Sequence, residues 1–450
     1  MTVIESFADW AAALQAPEEA RAAASRCLMD TMGGTIAGGV EPPATLLAKA
    51  LPGDGPSRLV PSGTRDARTA ALINGTAAHT VEVDDIYSPG LYHPGVCVIP
   101  AALAMGETVG ASGTDLLDAI VAGYEVSNRI ARTINPAHYE HWHTTATVGH
   151  FGAAVAAGRV AGLSAEQIAH AMASVATMAA GLRHAFASDA MSKPLHAGRA
   201  AEAGVLAVQA AREGIAGVLD ILEAGRGFGT ALSDGPDWGQ ATSTMGQEWT
   251  ILRMTVKAHA CCGHNFASLD GIQTITAENG LAAEDIARIH AGVYRATAEI
   301  CGNPDPKTAA EARFSLPYCA GVMVLRGAVT PADFSDDALV DPAVRQIAAK
   351  VQIEIDPEAE AAFPALRPAT VQVQTRDGRT FQHHQFTRKG DPDVALTDAE
   401  IAAKFHAFAD PVIGREGGLT LVAAIGGIDQ LADIRALPLG AAARPSQAAE

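Results

Sequence analysis

Two stretches, "TATVGHFGAAVAAG" and "SAEQIAHAMASVATMAAGL", carry small or apolar residues on every side of a helical wheel. A helix of that kind is stable only when neighbouring helices surround it, so it belongs inside a bundle and not on a surface. Up to about residue 250 the same grammar repeats. "PEEARAAASRCLMDTMGGTIAGG" has a Pro-Glu-Glu start, an apolar face at 3.6-residue spacing and a Gly-Gly stop. "GTDLLDAIVAGYEVSNRIARTI" reads likewise, and "SAEQ" is a Ser-x-x-Gln capping box. Hydrophobic residues are 48 % of the chain but aromatics only 5 %, which suits close-packed helices filled by Ala, Val, Leu and Ile.

The texture changes near Val256. "EDIARIHAGVYRAT" and "KVQIEIDPE" alternate apolar and polar residues, and "ATVQVQTRDGRTFQHHQ" reads as a hairpin turning at Asp377-Gly378. Helices return after "KGDPDVALTDAEIAAKFHAF", and an Ala/Pro/Ser tail reads as a frayed end. The expected fold is mainly α. A large all-helical domain is built from both ends of the chain (residues 1–255 and 393–450), with a smaller α+β lid domain, 256–392, inserted between them.

Net charge is −18 with no Lys/Arg-rich block, which argues against nucleic acid and anionic membranes as partners. The acidic start lacks a basic n-region, and the apolar stretches are too short to span a bilayer. Cys27, Cys97, Cys261, Cys262, Cys301 and Cys319 form no CxxC and no repeated spacing, the pattern of reduced thiols in a cytosol. The expectation is a soluble cytoplasmic protein.

Four stretches crowd chemistry at helix starts. "VEVDDIYSPGLYHPGVCVIP" places Glu82, Asp84 and Asp85 before His93-Pro94, and "HWHTTATVGHFGAA" puts His143 ahead of a Gly/Ala-rich helix. "SDAMSKPLHAGRAAEAG" carries Lys193 and His196, and "VKAHACCGHNFASLD" carries Lys257, His259 and His264. Helix N-termini offer free N–H groups and a positive dipole end, so they receive carboxylates well. Singly, each has a plainer reading. A histidine at a helix start is more often a polar cap than a catalyst, and acids there favour the helix dipole. Cys261 and Cys262 read as small buried residues; adjacent cysteines lack zinc-ligand spacing. "GRGFG" at 225–229 follows the helix-like "GVLDILEA" and not a strand, which excludes a dinucleotide site.

Together with "LINGTAAHTVEVDD", "ILEAGRGFGTALSD", "ARFSLPYCAG" and "LTDAEIAAKF", these blocks resemble, in order from about residue 5 to 410, the MmgE/PrpD family. Its members dehydrate 2-methylcitrate, decarboxylate cis-aconitate or epimerise iminodisuccinate. The resemblance implies a helical domain with an α+β lid, a homodimer, and a site between domains that uses no metal and no organic cofactor. It places catalytic roles on His93, His143, Lys193, Lys257 and Tyr318, and substrate-binding roles on Asp84, Asp85 and His264. Where many members read Asp-Phe-Asp-Asp-Thr, this chain reads Glu82-Val83-Asp84-Asp85-Ile86, and "HACCGH" has Cys262 near where the decarboxylases carry a histidine.

The members' reactions share loss of a proton or CO₂ from carbon next to a carboxylate, with negative charge building on the carboxylate oxygens. Lys193 and Lys257 are the candidates to meet that charge. A histidine, with its ordinary pKa of ~6.5, suits the proton. Tyr318 is the candidate donor to a leaving hydroxyl or to the reacting carbon, and Asp84 and Asp85 are expected to orient a histidine or lysine. The expected function is a lyase on a small di- or tricarboxylate, with dehydration of a 2-methylcitrate-like hydroxy acid first, on the family's commonest activity alone. Epimerisation of an iminodisuccinate-like dicarboxylate and decarboxylation of cis-aconitate follow. Outside that class stand a non-catalytic anion-binding helical dimer and an iron–sulfur hydratase, the latter without any cluster motif.

Overall fold

A computed structural model describes residues 1–186 and 190–439. The tail read as frayed, 440–450, lies outside them. The chain divides into two compact units, one formed by Met1–Thr255 and the segment from Thr397 onward, the other by Val256–Leu396. The protein is mainly α, with a small α+β portion.

The first unit is a helical bundle: α1 (Val3–Ala13), α2 (Glu18–Gly38), α3 (Pro42–Ala50), α4 (Ala67–Thr80), α5 (Gly95–Val109), α6 (Gly113–Ile134), α7 (Thr144–Val160), α8 (Ala165–Ala176) and α9 (Ser192–Arg212). A short ladder, β1 (Ser57–Arg58) with β2 (Thr64–Arg65), crosses between α3 and α4. Some of their starts carry the caps written in the sequence. Ser164 and Gln167 close the expected capping box on α8, and Thr2 with Glu5 does the same on α1. In α7 every residue except Arg159 is buried, so the absence of a polar face in its sequence has its cause in its position. Small residues let these helices approach closely. A Cβ added at Gly204 of α9 would come within 2.5 Å of the Ala153 Cβ on α7. A long helix, Asp398–Gly426, starts on a Thr397–Glu400 capping box and packs against α2, so residues far apart in sequence share one core.

One expectation fails. "GVLDILEA" forms turns, not a helix. Glycines at 214, 217, 225 and 227 bound the run, which is too short to nucleate a helix in their company.

In the second unit a sheet of order β4-β3-β5-β6 is formed by β3 (Ile286–Val293), β4 (Val351–Ile355), β5 (Ala369–Thr375) and β6 (Thr380–Gln385). β3 and β4 run parallel, joined by the intervening helices; β3–β5 and β5–β6 are antiparallel. The β5–β6 hairpin turns at Asp377-Gly378, where Gly378 has φ 90°. Alternate residues Ala369, Val371, Val373 and Thr375 face inward, on the side where the helix Phe266–Asn279 packs against β5. Among the described residues no helix is long and apolar enough to cross a membrane.

Candidate active site

The acid-rich loop is shaped by where α4 stops. After Thr80 the chain reverses through Glu82, which sits in the left-handed region at φ 59°, and a second such residue, Leu91 at φ 48°, turns it back towards α5. Bridges between Tyr87 and Tyr92 and between Ile86 and Thr255 fix the loop at its middle. Each acid then finds a different partner.

Asp84 is buried between two imidazoles. Its Oδ2 lies 2.9 Å from His79 Nδ1 and 2.8 Å from His93 Nδ1. His93 Nδ1 is also 2.8 Å from the main-chain oxygen of Asp85. A nitrogen facing two acceptors carries a proton, so His93 holds Nδ1–H and Nε2 is the atom it has for proton exchange. Asp85 points elsewhere. Its Oδ1 accepts from Gly95 N–H at 3.0 Å, capping α5, and its Oδ2 accepts from Tyr124 O–H on α6 at 2.7 Å. Burial pushes the Asp85 carboxyl up to about 7, against the two hydrogen bonds that favour its charge. Glu82 forms an ion pair with Lys193 in the first turn of α9. Lys193, a candidate to meet the substrate's charge, thus stands paired with a carboxylate of the same unit.

His143 N-caps α7, and its Nδ1 lies 3.2 Å from His196 Nδ1 on α9. Its ring stacks on His79, centroids 5.5 Å apart, and meets the edge of Phe186 at 4.8 Å. Burial lowers the pKa of His79, His143 and His196, His143 the furthest, with Lys193 adding to the effect on each. The first unit thus links His79 and His93 at Asp84 to His143 and His196 through ring contacts, with the Lys193–Glu82 pair alongside. That set can take up and return a proton close to a fixed positive charge.

Within the second unit Lys257 is buried, and His259 Nε2 pairs with Asp270 Oδ1 at 2.9 Å. His264 Nδ1 lies 2.7 Å from the hydroxyl of Tyr294, whose ring stacks on Phe363 at 4.5 Å and whose pKa burial pushes up to about 12. Cys261 and Cys262 are buried, as are Cys301 and Cys319. Tyr318 is fully buried. Its hydroxyl lies 2.6 Å from the Asp333 main-chain oxygen and 3.0 Å from that of Ala338. Its single proton faces main-chain oxygens, and the expected donation to a substrate would have to break that contact. Tyr318→Phe is expected to cost about 1–3 kcal/mol of stability, by leaving those carbonyls unsatisfied, with kcat within about twofold of wild type. Urea melts and steady-state kinetics of that variant check it; a kcat loss beyond a hundredfold would restore Tyr318 to the chemistry.

Sequence reasoning passed over His79, Tyr124 and Tyr294. His79 did carry a signal, lying five residues before Asp84 at the end of a helix; Tyr124 and Tyr294 carried none, because their partners are distant in sequence.

Comparison with known proteins places this architecture. The MmgE/PrpD N-terminal domain matches residues 5–241 and the MmgE/PrpD C-terminal domain matches residues 259–424. The chain belongs to the MmgE/PrpD family. It is similar to the cis-aconitate decarboxylase of Mus musculus, 29 % identical over 384 residues that cover 82 % of this chain and 77 % of that protein. The cis-aconitate decarboxylase of Homo sapiens is also 29 % identical, over 382 residues covering 82 % and 78 %. That of Aspergillus terreus is 24 % identical over 392 residues, covering 82 % and 80 %.

Proposed function

We propose that the chain is a lyase that acts on a small di- or tricarboxylate at the carbon next to a carboxylate, with His93 as the group that moves the proton. The observation that carries this reading is the Asp84–His93 contact, 2.8 Å long and with Nδ1 held against two acceptors. It leaves Nε2 of a partly exposed imidazole as a base. Abstraction from a carbon acid needs positive charge or donors near the carboxylate that takes up the electrons, and Lys193 is the local cation. Lys257 and His264 are kept in the proposal on the family resemblance alone.

Within that class we favour dehydration of a 2-methylcitrate-like hydroxy acid, because an Asp-oriented imidazole suits removal of a proton before the hydroxyl leaves. Decarboxylation of a cis-aconitate-like acid is the second reading, favoured by the names of the curated relatives. The test is a panel of citrate, 2-methylcitrate, cis-aconitate and iminodisuccinate, followed by proton NMR in D₂O. Water loss from 2-methylcitrate supports the first reading and CO₂ release from cis-aconitate the second. Exchange of the α-proton of iminodisuccinate without net loss would make the protein an epimerase. Neither turnover nor exchange with any of them would overturn the proposal.

A further inference from the structure

We propose that His79 is a positioning residue, which shares one carboxylate oxygen of Asp84 with His93 and so sets both the place of that carboxylate and its pull on His93. The inference rests on the reading that His93 moves the proton.

His79 is fully buried in the last turn of α4, and Asp84 is nearly so. Both imidazoles bring Nδ1 close to the same atom, Asp84 Oδ2, at 2.9 and 2.8 Å: His79 hydrogen-bonds it, while His93 Nδ1 lies beside it and hydrogen-bonds the Asp85 main-chain oxygen. A carboxylate oxygen that accepts from one imidazole has less negative charge to present to the one beside it, so what His79 takes is withheld from His93. The other nitrogen of His79 decides its state. Nε2 is buried and has no hydrogen-bond partner among the described residues. A lone pair left there is tolerable; an imidazolium would bury a second, unsatisfied N–H, which costs more. His79 therefore sits as the neutral Nδ1–H tautomer. Burial, which lowers its pKa, acts in the same sense.

The surroundings hold the ring still. It stacks on His143 at 5.5 Å and tilts against His93 at 5.4 Å, so it is wedged between the other imidazoles. Its helix lies against α9 so closely that a Cβ added at Gly75 would reach the Gly198 Cα at 3.0 Å. The titratable groups grouped about it are Asp84, Glu82 and His93 of the loop, Lys193 and His196 of α9, and His143 of α7. Cys97 of α5 and Asp30 of α2 belong to the same neighbourhood through Asp84 and Asp85. None of these supplies a second donor to Nε2 among the described residues.

Two variants separate the roles. His79→Phe keeps a flat ring but removes the donor; His79→Asn returns an N–H near the place of Nδ1. In ligand-free protein with ¹⁵N-labelled histidine at pH 7, His79 is expected to show a pyrrole-type Nδ1 and a pyridine-type Nε2. The Nδ1-bound proton of His93 should move downfield in His79→Phe, as His79 no longer draws on Asp84, and return towards wild type in His79→Asn. In turnover, His79→Phe should lower kcat by about tenfold to a hundredfold with KM within about twofold, and move the acid limb of kcat to higher pH. His79→Asn should recover most of both. An Nε2–H or doubly protonated His79 overturns the proposal, as does an unmoved His93 proton in a folded His79→Phe. A raised KM at unchanged kcat would make His79 a substrate contact and overturns it too. The NMR readings need no substrate. A panel without turnover alongside the expected tautomer would sink the proposed function and leave His79 standing.

Discussion

His93→Gln is expected to lower kcat by about 10²–10⁴, the usual weight of general acid–base catalysis, while binding of a non-reacting tricarboxylate analogue survives. Glutamine keeps a polar side chain of similar reach, so the pocket should hold its shape, but it neither takes nor gives a proton near neutral pH. The geometry says why this histidine and not its neighbours. His93 is the partly exposed imidazole on Asp84, its side chain 19 % accessible, whereas His79 is fully buried. His143 is buried, and burial lowers its pKa well below the ordinary histidine value, so it contributes a neutral ring. Asp84→Asn should cost less than His93→Gln, because it keeps the shape and loses only the charge. Any ionisation that controls kcat should then move to lower pH, as the neighbouring cation loses its counter-charge. Steady-state kinetics across pH and isothermal titration with the analogue check both. If His93→Gln turns over normally while His143→Gln is dead, the proton belongs to His143, and the Asp84 loop is binding architecture.

The sequence made the helices legible because their signals are local. Ser164 and Gln167 lie within one turn, and the small residues of α7 are a pattern any wheel displays. The hairpin at Asp377-Gly378 is as local, since a positive φ must fall on the glycine. The crowding of acids and histidines before α5 was equally visible. What was hidden is which group each acid meets. Asp85 finds Tyr124 39 residues away, and Lys193 finds Glu82 111 residues away, through the packing of α6 and α9. No periodicity encodes such pairings. Tyr318 shows the converse case: its motif suggested a reagent, and in the fold its hydroxyl meets carbonyls 15 and 20 residues downstream. A polar atom inside a core has to be satisfied before it is free to react, and that requirement appears only once the chain is folded.

Asp85→Ala should be the most destabilising single change in the acid-rich loop, at about 3–5 kcal/mol, since it strands the Gly95 N–H at the start of α5 and the Tyr124 hydroxyl inside the bundle. The space is tight enough that nothing else slides in. A Cβ at Gly95 would already stand 2.8 Å from Asp85 Oδ1 and 2.6 Å from Thr31 Oγ1. Asp85→Asn is the informative partner. The amide still accepts from Gly95 N–H, and its NH₂ donates to a Tyr124 oxygen that turns its own proton away. What the amide lacks is ionisation. Burial raises the Asp85 carboxyl to about 7 in the folded protein, above the ~3.9 of an exposed aspartate. Between those values the native state holds a proton that the unfolded state has lost. The contribution of Asp85 to stability is therefore fully present below the unfolded value and declines until pH passes about 7. Relative to wild type, Asp85→Asn should then gain stability between pH 5 and pH 8, measured as the difference between the two urea-unfolding free energies at each pH. A difference that stays constant across that range would mean that Asp85 remains ionised throughout, its charge carried by Tyr124 and Gly95 alone.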